Sequence, residues 1–130
     1  MYEELAYTVI GCVIKVYNNL GPGLLESVYQ NALMIELDNA LLKAEKEVPI
    51  EIEYEGSNLD VGFRIDILVE NKIVLELKSV SQLEKVHFKQ LRTYLKLTNM
   101  PLGYLINFNS DSLRIGHEIH RLTNNQHTEE

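Results

Sequence analysis

The chain of 130 residues is poor in cysteine and has no apolar run near the roughly 18 residues that a membrane-crossing helix needs. Cys12 stands alone, so no disulfide can close within the chain. It lies in an apolar helical run, where a buried structural thiol is the ordinary reading. The first residues, Met1-Tyr2-Glu3-Glu4, lack the basic segment of a signal peptide. These absences point to a reducing cytoplasm and away from any membrane partner. Also missing are a glycine-rich phosphate loop, a G-x-S-x-G elbow and any Cys/His zinc spacing. The chemistries that depend on those motifs have no foothold here.

Positive charge is scarce as well. The net charge of −7 argues at first against a nucleic-acid partner. Its distribution weakens that objection. Residues 1–60 hold 11 acids and 3 bases, whereas residues 61–130 hold 8 acids and 9 bases. Between 78 and 96, Lys78, Lys85, Lys89, Arg92 and Lys96 stand against Glu84 alone. The acidity is segregated into the first half.

What is present fits one domain, residues 1–122, with 45% apolar residues to supply a core. Apolar residues at spacings of three and four predict a helix over 3–19, stopped by Leu20-Gly21-Pro22-Gly23. A second helix is expected over 24–40. Strands follow over 42–55, with Pro49 marking an edge or a break. Gly56-Ser57-Asn58 reads as a turn. Two nearly continuous apolar strands, 61–69 and 73–79, flank a turn at 70–72 and belong in the centre of a sheet. A third helix is expected over 82–98, a buried strand over 102–108 and a weaker one over 112–119. The polar stretch 123–130 reads as a frayed tail. The order of elements predicts an α/β (α+β) sheet flanked by helices.

Three charges interrupt the two central strands. Asp66 lies on the first, Glu76 and Lys78 on the second. A charge in a buried strand is costly unless it is paired or binds metal. A short turn makes the strands antiparallel neighbours, and Glu76 and Lys78, two apart, emerge on one face. Two such carboxylates suit Mg²⁺ or Mn²⁺, with a backbone carbonyl and waters completing the shell. A neighbouring lysine can orient a water or offset charge on a phosphate. The alternative is an Asp66–Lys78 or Glu76–Lys78 ion pair in a structural sheet.

The third helix adds two features. Lys85, Lys89, Arg92 and Lys96 form one stripe about 60° wide, suited to neutralising phosphates or serving as a solvated face. The opposite arc carries Leu83, Val86, Phe88, Leu91, Leu95 and Leu97. Near its middle His87, Gln90 and Tyr94 need polar partners, which the Asp66/Glu76 edge can supply; ordinary core hydrogen bonds are the alternative. Glu26 opens the second helix, where the helix dipole favours a carboxylate whatever its function, and Tyr29 follows on the same side. His117 and His120 lie near the polar tail and carry little weight as ligands.

Gly23-Leu24-Leu25-Glu26-Ser27-Val28-Tyr29 resembles the signature of the GxxExxY protein family, a branch of the PD-(D/E)xK nuclease superfamily. Leu20–Glu26, Gly62–Asp66, Leu75–Lys78 and His87–Lys96 are similar to that family's wording in order and separation. The resemblance covers about residues 3 to 116. It implies a restriction-endonuclease-like core, a central mixed sheet with flanking helices, and a Mg²⁺-dependent phosphodiesterase acting on nucleic acid, DNA foremost. Carried over by residue, Asp66 and Glu76 resemble the metal carboxylates, and the Leu77 carbonyl the backbone ligand. Lys78 resembles the catalytic lysine. Glu26 resembles the helical acid that joins the metal shell directly or through water. Gln90 and Tyr94 resemble a Q-x-x-x-Y motif that contacts substrate; Lys89 and Arg92, from the basic stripe, are expected as further contacts. His87 matches a family histidine of unassigned role. Ile65 replaces the proline that often precedes the aspartate. A short core of net charge −7 is expected to hold nucleic acid as a homodimer or with a larger protein partner. The other expectation is a non-catalytic nucleic-acid-binding or assembly module on the same fold.

Overall fold

The computed structural model describes residues 1–59, 62–125 and 127. Its elements are α1 (Glu3–Leu20), α2 (Glu26–Asn39), β1 (Ala44–Pro49), β2 (Ile52–Tyr54), β3 (Ser57–Leu59), β4 (Arg64–Val69), β5 (Ile73–Lys78), α3 (Lys85–Thr98), β6 (Leu102–Asn107) and β7 (Ile119–Thr123). Five strands form one mixed sheet in the order β1-β4-β5-β6-β7, and β2 and β3 make a separate hairpin. Only β5 and β6 run parallel, joined by the α3 crossover. The expected mixed sheet with flanking helices is the one observed.

Each face of the sheet buries its own core. Ile67, Val69, Ile73, Leu75, Leu77 and Ile106 pack toward α1 and α2, which contribute Val9, Val13, Tyr29, Leu33 and Leu37. Ile65, Leu68, Val74 and Leu105 pack toward Leu91, Tyr94 and Leu95 of α3. β5 is therefore covered on both sides, as its apolar run requires. Gly103 of β6 permits the α3 contact: a Cβ there would lie 2.9 Å from a methyl of the fully buried Leu91.

α1 ends where Gly21 takes φ +69° and its N–H closes on the Tyr17 carbonyl. α3 starts from a reciprocal cap between Glu84 and His87 and ends at Asn99, in the left-handed region.

Several boundaries differ from the sequence pattern. Glu55 and Gly56, both at positive φ, form the hairpin turn, so Ser57 and Asn58 belong to β3 rather than to a turn. β4 starts at Arg64, and the expected start at residue 61 lies outside the described residues. The last strand comes later than 112–119, because Gly116 (φ +87°) turns the chain first. Thr123 then pairs with Leu102, and the Asn124 side chain donates to the Leu95 and Met100 carbonyls. The tail thus does not begin at 123; residues 126 and 128–130 lie outside the described residues. On α3, Val86 and Leu97 are exposed rather than buried, since the sheet takes the arc centred on Leu91 and Tyr94.

Candidate active site

β4 and β5 are a regular antiparallel pair at one end only. Ile67, Leu68 and Val69 pair with Leu75, Val74 and Ile73, and the ladder stops before Asp66 and Glu76. Beyond that point the carboxylates replace the missing backbone bonds. The Leu77 N–H donates to Asp66 Oδ2 at 2.8 Å, and the Asp66 N–H donates to Glu76 Oε1 at 3.2 Å. Each acid bridges to the opposite strand.

The strand on the other side of β4 opens at the same level. β1 pairs Lys46 with Ile67 and Val48 with Ile65, skipping Glu47 and Asp66. Glu47 takes φ +54°, a costly conformation for a residue with a side chain. Simple alternation would put Ile65 and Ile67 on the same face, yet they enter opposite cores. β4 therefore rotates through Asp66, which turns that carboxylate toward β5.

A cavity of about 230 Å³ opens here, lined by Glu26, Ser27, Gln30, Glu47, Asp66 and Leu77. The Leu77 carbonyl shares the direction of its N–H along the strand, toward the β4 side. Gln30 of α2 holds the Asp66 carbonyl at 3.0 Å. Glu26 sits exposed at the start of α2, placed by the turn before it. Tyr29 builds that turn. Its hydroxyl donates to the Gly21 carbonyl and accepts from the Leu24 N–H, while its ring stacks on Phe108 at 4.3 Å. Ser79 ties the same turn to the end of β5 through the Leu24 carbonyl. Asn107, buried beside Lys78 in the register, clamps both backbone groups of Val80.

Glu76 and Lys78 face α3. The Lys78 Nζ donates to Gln90 Oε1 over a long 3.4 Å, and Gln90 Nε2 donates to the Tyr94 hydroxyl at 2.9 Å. Glu26, Asp66, Glu76, Leu77, Lys78, Gln90 and Tyr94 thus gather around the open end of β4–β5. Lys89 and Arg92 do not: they lie exposed on the outer stripe of α3 with Lys85 and Lys96. His87 turns away too. Its Nδ1 accepts from the Glu84 N–H, so its role in this fold is to cap α3.

Burial sets the electrostatics of the site. Among the described residues, Lys78 forms no ion pair with either carboxylate. Burial, and then the Asp66 charge, push the Glu76 carboxyl up from 4.5 to about 8. Burial also raises Asp66, against the pull of its hydrogen bond from Leu77. Lys78 opposes the rise in both and does not overcome it. Burial and the nearby Glu76 raise the Tyr94 hydroxyl. A buried and a half-buried acid, each committing one oxygen to backbone, with a backbone carbonyl alongside, are a hard-oxygen donor set that fits a divalent cation. No group of three or more His, Cys, Asp or Glu among the described residues could hold a metal ion. The fit therefore depends on the two carboxylates and the backbone carbonyl.

Glu47, Gln30, Ser79 and Asn107 carry no motif. Their polar types alone do not reveal that they shape this edge. A larger hollow of about 540 Å³, against Tyr2, Leu5, Leu41 and Lys72, contains none of the site residues.

The family model described as the PD-(D/E)XK nuclease superfamily matches residues 3–122. The crystal structure of SSO0001 is similar at 25% identity and a TM-score of 0.56. That likeness covers 95% of this chain and 60% of that one, so the present chain spans about three-fifths of its length. No curated protein matches. The mixed sheet and its three helices agree with a restriction-endonuclease-like fold.

Proposed function

The chain belongs to the PD-(D/E)XK nuclease superfamily, and on that premise we propose that it is a divalent-metal-dependent nuclease hydrolysing phosphodiester bonds, DNA foremost. The observation that carries this reading is the open end of β4–β5. There Glu76 is buried and Asp66 half-buried, both are raised in pKa, and neither forms an ion pair among the described residues. Asp66, Glu76 and the Leu77 carbonyl would hold Mg²⁺ or Mn²⁺, with Glu26 reaching the shell from α2. A bound divalent ion supplies charge to polarise a phosphate and to acidify a water. Lys78 orients the attacking water and offsets charge on the phosphate. Gln90 fixes the Lys78 ammonium, and with Tyr94 it orients the substrate strand. Lys89 and Arg92 contact phosphates farther out.

The ordered motifs support placing the chain in the GxxExxY branch, as a single nuclease domain over residues 1–122. The reading includes a cytoplasmic location and a homodimer or larger partner that supplements the grip of an acidic core. The test is incubation with Mg²⁺ or Mn²⁺ and single- and double-stranded DNA and RNA. Cleavage by the wild type and strongly reduced cleavage by Glu76→Ala is expected. No cleavage of any substrate, or cleavage untouched by Glu76→Ala, overturns the proposal.

One observation favours a second reading, a nuclease fold kept as a nucleic-acid-binding or assembly module. Among the described residues no three acids or histidines stand ready to hold an ion. Calorimetric titration with Mn²⁺ separates the two. Binding lost in Asp66→Ala and Glu76→Ala supports the nuclease, and no binding supports the module.

A further inference from the structure

We propose that Phe63 is a stacking platform for an unpaired nucleobase, which makes single-stranded nucleic acid the preferred ligand of this site. The inference rests on the reading that the ligand is nucleic acid; it does not need the site to turn over. Phe63 is a large apolar side chain with 43% of its surface exposed. It does not hang on a free loop. Its carbonyl accepts from the Ile50 N–H at 2.9 Å, just before β4 begins. Its ring rests on the Tyr94 ring, centroids 6.0 Å apart and planes tilted by 50°. Tyr94 is 4% exposed and accepts from Gln90, which in turn accepts from Lys78. A continuous chain of contacts therefore runs from an exposed aromatic ring to the lysine of the candidate active site.

The surroundings suit a strand with splayed bases. Arg64 follows Phe63, exposed and without an ion pair among the described residues. Val86 and Leu97, 62% and 39% exposed, lie on the Gln90 side of α3 at helical spacing. The helix thus presents exposed apolar surface beside the Lys78–Gln90–Tyr94 chain. A duplex keeps its bases stacked inside and offers phosphates, which gain nothing from an aromatic ring. An unpaired base has a free π-face, and stacking on an aromatic side chain is sequence-tolerant. Lys85, Lys89, Arg92 and Lys96 stand on the outer stripe of α3, where a strand leaving this surface would find charges for its backbone.

The chain has no tryptophan, so Phe63→Trp would introduce a single indole at the proposed contact. The variant is titrated in EDTA, where metal-dependent cleavage is silent, with a short single-stranded oligonucleotide, an abasic strand of equal length and charge, and a blunt duplex. Saturable quenching by the single strand, little by the duplex and none by the abasic strand is expected. By fluorescence anisotropy, Phe63→Ala should weaken single-strand binding about 10–100-fold, and Phe63→Tyr should restore it. Equal quenching by the abasic strand overturns the proposal. So does unchanged affinity in a Phe63→Ala protein that melts like the wild type. If Phe63→Ala does not fold, the Phe63→Trp titration decides. A wild type that stacks bases yet cuts nothing with Mg²⁺ overturns the nuclease reading and leaves this one standing.

Discussion

The two ends of the β4–β5 pair are built from the same strands and obey opposite rules. At the turn end, Ile67–Val69 and Ile73–Leu75 form a closed ladder of apolar residues buried on both faces. At the other end the ladder parts, and carboxylates occupy the backbone positions of hydrogen-bond partners. The first arrangement is stable by itself, because backbone groups satisfy each other and the side chains leave water. The second places two carboxyls side by side where at least one is dry, an arrangement that costs stability whenever both are ionised. Stability and chemistry thus occupy opposite ends of a six-residue strand, β5.

The contrast is sharpest in single substitutions. Glu76→Ala should lower cleavage on the order of 10²–10³-fold in single-turnover assays. Above about pH 8, where Glu76 is ionised, the variant's urea midpoint should hold or rise, since a buried charge is removed. Leu75→Ala, one residue away, should behave in the reverse sense. It deletes a fully buried side chain and should cost about 2–5 kcal/mol in urea unfolding. If both variants lose stability equally, the two ends are not distinct.

Acidity gives a second handle. Glu76 titrates near 8 in the folded state against 4.5 as its ordinary value, so between those values the native protein binds more protons than the unfolded one. Stability of the metal-free protein should then be fullest below about pH 4.5 as far as Glu76 is concerned, and should fall as pH rises through 8. Raised Asp66 acts in the same direction. Thermal melts across pH 5–8.5, set about that window, should show the decline, and Glu76→Gln should flatten it. The smallest effect is expected at the α3 side. Tyr94→Phe removes the acceptor of Gln90 and should cost about 1 kcal/mol. A corresponding few-fold rise in KM with kcat nearly constant would mark substrate orientation rather than chemistry.

The closed end was plain in the sequence, because buried strands write themselves as apolar runs. The open end was plain only in its charges. Asp66, Glu76 and Lys78 stood out because polar residues interrupted those runs, and Gln90 and Tyr94 because they fell on an apolar arc. What holds them was hidden. Gln30 and Asn107 work through backbone groups 36 and 27 residues away, so no local pattern reveals them. His87 shared the arc of Gln90 but was taken by the Glu84 cap, a local bond that wins over a distant partner. The β2–β3 hairpin turned on Glu55, a residue with no turn signature, and β7 waited for Gly116 to reverse the chain.

Glu47 has a consequence outside the site. β1 is an outer strand of the sheet, and an outer strand exposes backbone groups that invite another chain to pair. The left-handed Glu47 breaks the pleat of that edge at its centre, and Pro49 removes a donor two residues on. Charged Glu45 and Lys46 are exposed beside them. The distortion that opens the strands around Asp66 therefore also disfavours strand addition along the β1 edge.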